Sequence, residues 1–111
     1  MSSITEAYEI EFKALEDEIK KAMASYSSNN ERSKVASLSR QVEALFGQGT
    51  DLAKQMEVEV RSLSGSERRA SNEIVSNWKR SLTASKANFQ KMKSSSKAQR
   101  EEDRMELGMA G

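Results

Sequence analysis

Apolar residues recur at steps of three and four over most of the chain, in three stretches separated by short polar breaks. The longest is Val35, Leu38, Val42, Leu45, Gly49, Leu52, Met56, Val60 and Leu63, flanked by Ser, Lys, Arg, Glu and Gln. That spacing puts these positions on one stripe of an α-helix, with only Gly49 out of character. No proline interrupts the stretch. A helix of roughly 30 residues, about 45 Å long, therefore carries an apolar stripe that it cannot bury alone.

Two further stripes can cover it. Tyr8, Phe12, Leu15, Ile19, Met23 (with Ala22) and Tyr26 form the first. Ahead of them, Ser3-Ile4-Thr5-Glu6 is a capping box, in which the Ser hydroxyl and the Glu carboxylate each reach an unpaired backbone N–H. Ser27-Ser28-Asn29-Asn30 closes the stretch with residues that favour turns. The other stripe is Ala70, Ile74, Trp78, Leu82, Ser85, Phe89 and Met92. Ser64-Gly65-Ser66 forms the elbow before it, with Gly65 suited to a helix C-terminus and Ser66 to the next N-cap.

Helices are thus predicted at about 3–26, 31–63 and 67–96. Short elbows force antiparallel neighbours, so residues 1–96 are expected to form an all-α, up-down-up three-helix bundle. Its predicted core is Phe12, Leu15, Ile19, Leu38, Leu45, Leu52, Met56, Ile74, Trp78, Leu82 and Phe89. Gly47 and Gly49 each cost about 1 kcal/mol against alanine in a helix, and mark either a slight bend or a close approach of a neighbour. Beyond Ser94-Ser95-Ser96 the stripe fades, and the charged residues 97–111 are expected to fray.

Composition narrows the chemistry. With 111 residues the chain is one small domain. It has no cysteine and no histidine, which excludes disulfides and Cys/His zinc sites and removes the commonest general base. The N-terminus turns polar at once, unlike a secretory leader, and no apolar run approaches a membrane span. Carboxylate pairs such as Glu57/Glu59 and Glu101/Glu102 point in different directions on a helix, so no catalytic constellation, metal site or cofactor site emerges. The glycines lack the Lys-Ser/Thr context of a phosphate-cradling loop.

The net charge of +1 hides an asymmetry. Residues 1–30 carry six acids against three bases, whereas residues 67–100 carry two acids against nine bases. Attraction between an acidic first helix and a basic third helix is the simplest expectation. The alternative is phosphate or anionic-membrane binding through Arg68, Arg69, Lys79, Arg80, Lys86, Lys91, Lys93, Lys97 and Arg100. These bases read as spread round the helix without interleaved exposed aromatics, which argues against nucleic acid. The serine runs 25–28 and 94–96 read as polar linker, though serine there can also accept phosphate.

Four segments bear a resemblance. Met1-Ser2-Ser3 with Tyr8-Glu9 and Phe12 is similar to the start of Vti-type SNARE proteins. The most specific segment, Gln55-Met56-Glu57-Val58-Glu59-Val60-Arg61, resembles the Gln-Met-Asp-Leu/Val-Glu-Val/Ala-Arg signature closing that family's second helix. Ser66-Glu67-Arg68 with Trp78-Lys79 resembles its third helix, and Arg104-Met105-Glu106-Leu107-Gly108-Met109-Ala110 the region preceding the SNARE helix. The chain departs from the pattern in a shortened Leu-Leu region near Leu107 and in its glycine-interrupted second helix.

The resemblance implies the N-terminal Habc-like domain of a Qb-SNARE, continuing into a SNARE helix and a C-terminal membrane anchor. It implies traffic between the trans-Golgi network, endosomes and the vacuole or lysosome, on the cytosolic face of those membranes. It also implies assembly with other SNAREs, and recognition of the bundle as folded cargo by the ENTH domain of an epsin-related clathrin adaptor. The expected docking residues are Glu57, Glu59 and Arg61, which lie off the stripe within the most family-like segment. The competing function is a bundle folding back in cis on the SNARE helix, with Phe46 and Val58 as exposed apolar contacts. A monomer is expected, since two elbows let each stripe find partners within one chain.

Overall fold

A computed structural model describes residues 3–29 and 31–110, with side-chain surroundings for 4–29, 31 and 33–95. It contains three helices, α1 (Ser3–Ser28), α2 (Arg32–Val60) and α3 (Gly65–Ala110), and no strand among the described residues. They pack against one another as an up-down-up bundle, with α1 and α3 running parallel and α2 antiparallel to both. The 46 residues of α3 set the long dimension of 70 Å.

Local chemistry fixes the elbows. The Asn29 side-chain carbonyl accepts from the Glu31 N–H at 2.9 Å, and the Glu31 carbonyl then receives the first bonds of α2 from Lys34 and Val35. The capping role expected of Ser3 rests on a side chain outside the described residues. The second helix stops at Val60, three residues short of the expected end. Arg61, Ser62 and Leu63 donate instead to carbonyls three residues back, at 3.0–3.3 Å, and this tightening ends the helix. Gly65 takes φ +61°, a left-handed conformation that favours glycine, and already opens α3. No glycine or proline occurs from Ser66 to Leu107, and the backbone of α3 is helical to Ala110.

The core follows the stripes with informative shifts. Tyr8, Phe12, Leu15, Ile19, Ala22 and Tyr26 are buried on α1, as are Val42, Leu45, Phe46, Ala53, Met56 and Val60 on α2 and Val75, Trp78, Leu82 and Phe89 on α3. Leu38, Leu52 and Ile74, expected inside, are only partly buried. Phe46, expected outside, is buried edge-on against Phe89. The middle helix touches two partners, so its buried arc is wider than a single three-four stripe and takes in Phe46 and Ala53. A buried pair of hydroxyls crosses the core, Thr5 Oγ1 to Ser71 Oγ at 2.7 Å, between the start of α1 and the first turns of α3.

Gly49 marks a close approach. A Cβ built there would lie 2.8 Å from Leu82 Cδ2 and 3.1 Å from Trp78 Cζ2, and the Trp78 indole N–H donates to the Gly49 carbonyl at 3.0 Å. Gly47 has open space around it. Alanine should therefore act with opposite sign at the two sites. Gly47→Ala is expected to stabilise by up to ~1 kcal/mol through helix propensity. At Gly49 the crowding, typically 1–3 kcal/mol for an overpacked core, outweighs that gain and leaves a net loss of about 1 kcal/mol. Urea midpoints of the two variants shifting the same way would contradict this.

Candidate functional site

The end of α2 carries the three residues expected to dock a partner. Successive helical residues turn by about 100°, so Glu57 and Glu59 diverge. Glu57 faces α3 and forms an ion pair with Lys79. Glu59 faces α1, where it accepts a hydrogen bond from the Tyr8 hydroxyl. Arg61 is exposed just past the end of α2 and shares with Glu57 a shallow groove of about 340 Å³, lined also by Val60, Arg68, Asn72 and Lys79. The structure brings Glu57 and Arg61 together on the α2–α3 side and leaves Glu59 on the other.

The Tyr8 phenol has a titration consequence. Burial, then the Glu59 charge and hydrogen bond, then the Glu11 charge, raise its pKa above the ordinary 10.0. Ionisation is thus harder in the folded chain than in the unfolded one. The associated stability is fully present below pH 10 and is lost as pH rises through the folded value. Tyr8→Phe should lose less stability than the parent between neutral pH and pH 11; equal losses would contradict the assignment.

Ionic contacts between helices run differently from the expected attraction of α1 for α3. Both interhelical ion pairs among the described residues join α2 to α3, Glu57–Lys79 and Glu43–Lys93, the latter at 2.8 Å. Between them Lys86 Nζ reaches Thr50 Oγ1 at 3.4 Å. The positions 43, 50 and 57 face 93, 86 and 79, seven residues apart on each helix, so the three contacts form an antiparallel ladder along the seam. The α1 side of α3 presents neutral Asn77 and Ser81 to Glu9, Lys13 and Glu16. A repeat of lysine every seven residues from Lys79 to Lys93, set against Glu43, Thr50 and Glu57, was the signal that a count of bases alone misses.

Two further concavities are shallow. One of about 430 Å³ between α1 and α2 has Glu11, Glu18 and Asp51 over Leu15 and Leu52. One of about 250 Å³ between α1 and α3 sits over the Phe12–Trp78 stack. No group of three or more carboxylates among the described residues is placed to hold a metal ion. No described helix is long and apolar enough to cross a membrane.

The family model for the N-terminus of vesicle transport v-SNARE proteins matches residues 1–93. Its last residue falls one position after Met92, the last described apolar side chain packed against the core. No curated protein and no solved structure matches the chain.

Proposed function

The chain belongs to the vesicle transport v-SNARE N-terminal family, and from that premise we propose that its bundle is the recognition domain of a Vti-type Qb-SNARE, read as folded cargo by the ENTH domain of an epsin-related clathrin adaptor. Membership gives the chain a SNARE role in vesicle transport, with other SNAREs as partners, and points to a non-enzymatic protein. The route proposed is between the trans-Golgi network, endosomes and the vacuole or lysosome. The observation that supports the reading is the coincidence of the family match, residues 1–93, with the folded bundle.

Glu57 and Arg61 in the α2–α3 groove are the proposed adaptor contacts, with Glu59 on the adjoining face. Interfaces of this kind rest on a few anchors within a polar surround. Charge reversal of Glu57 and Glu59 to Lys should weaken ENTH binding at least tenfold while circular dichroism stays helical. Unchanged binding by the folded variant would sink this choice of surface. Lys79→Gln separates the loss of the Glu57 ion pair from the loss of a docking charge, and should leave binding near the parent value. Regulation in cis is less favoured, because Phe46 is held inside and only Val58 of the two proposed contacts is exposed.

A further inference from the structure

The bases of α3 whose side chains are described fall into two rows with different fates. On the α2 side Lys79, Lys86 and Lys93 are engaged by Glu57, Thr50 and Glu43, and Arg68 borders the groove there. The second row is Arg69, Arg80 and Lys91. Its members are eleven residues apart, which on a helix turning about 100° per residue offsets each from the last by only about 20°. The row lies opposite the buried side of α3 that carries Val75, Trp78, Leu82 and Phe89. All three side chains are exposed, and none forms an ion pair or hydrogen bond with a described residue.

This outer face suits a flat polyanion. Between the three bases it carries Ser76, Thr83 and Ala87, short enough to leave the long cations standing clear, and one acid, Glu73. The row runs from residue 69 to residue 91, about 33 Å along the helix. The exposed large apolar residues of the described chain, Ile4, Ile10 and Val58, are all on α1 and α2, so α3 offers no described side chain to insert between acyl chains. Nor does it offer an exposed aromatic for stacking on a base. On the far side of the bundle, Glu11, Glu18 and Asp51 border the α1–α2 groove and make no ion pair with a described residue. An anionic plane therefore attracts one side of the bundle and repels the other.

We infer that the bundle lies flat on an anionic membrane leaflet, held electrostatically through Arg69, Arg80 and Lys91 with the α1–α2 groove turned away. The membrane is the favoured polyanion because a vesicle transport family works beside one. The attachment is peripheral and weak, and it leaves the α2–α3 groove at the edge of the contact. It does not depend on the adaptor reading, and its test contains no adaptor.

The test is co-sedimentation of the 111-residue chain with vesicles of phosphatidylcholine, with and without about 30 mol % phosphatidylserine. Binding is expected only to the anionic vesicles, and is lost near 1 M salt, where the Debye length is about 3 Å. Each base near such a surface is worth roughly a fivefold factor. The variant Arg69→Gln/Arg80→Gln/Lys91→Gln should therefore partition about a hundredfold more weakly with unchanged helicity. A second variant, Lys13→Gln/Lys21→Gln/Lys54→Gln, removes the same charge from exposed positions on α1 and α2 and should keep most of the binding. Equal losses in both variants would reduce the effect to net charge and overturn the inference. So would absent vesicle binding, or a duplex DNA that binds the chain where anionic vesicles do not.

Discussion

Replacing Trp78 with alanine should destabilise the bundle by about 3–5 kcal/mol, the usual cost of deleting a buried large aromatic. Trp78 stacks on Phe12 with centroids 4.7 Å apart and planes 13° from parallel, which holds α1. Its indole N–H donates to the Gly49 carbonyl at 3.0 Å, which holds α2. One side chain thus joins all three helices, at the point where the missing Cβ of Gly49 lets α2 come close. Domains of this size have about 5–15 kcal/mol in total, so the variant should show a shallow, early urea transition. Trp78→Phe keeps an aromatic against Phe12 and loses the indole bond, and should cost much less. A Trp78→Ala transition within 1 kcal/mol of the parent, on the scale of a minor core change, would mean that the stack does not hold the helices together.

Phe89→Ala is expected to have a comparable effect, also about 3–5 kcal/mol. Phe89 is 1% exposed and sits further along α3. Tyr26 of α1 meets it edge-on at 5.0 Å and Phe46 of α2 at 6.0 Å, while Lys93 Nζ lies 5.2 Å from the ring centroid. The loss here should free the elbow end of α1 first. Hydrogen exchange near Tyr26 and Phe46 should accelerate before that around Phe12; uniform acceleration would show instead that the bundle opens as one unit. Phe89→Leu should recover part of the stability, since an apolar side chain still fills the site.

These two anchors were legible in the sequence, because Trp78 and Phe89 sit on an apolar repeat that only a helix explains. The residues facing them were less so. Phe46 stands one position from Leu45 and falls off a single stripe, yet a middle helix with two neighbours buries both. On α3 the buried position is Val75 instead of Ile74, since the arc is set by where α1 and α2 lie, and a one-dimensional period does not carry that. Gly49 suggested a continuous helix, slightly bent, as readily as a close approach to a neighbour, and only Leu82 and Trp78 against it show the close approach.

The candidate surface was read less well than the core. Glu57, Glu59 and Arg61 are off the stripe as expected, but two residues of separation send the two carboxylates to different neighbours, Lys79 and Tyr8. The charge asymmetry was visible, whereas its use was not. Only the register of α2 on α3 shows that Lys79, Lys86 and Lys93 are spent on a seam while Arg69, Arg80 and Lys91 are not.

Titration of the chain against the ENTH domain of an epsin-related adaptor from the same organism tests the central proposal most directly. Saturable one-to-one binding that survives moderate salt, and disappears when Trp78→Ala opens the bundle, is the predicted result. Absence of binding by a chain shown to be helical and monomeric would contradict it.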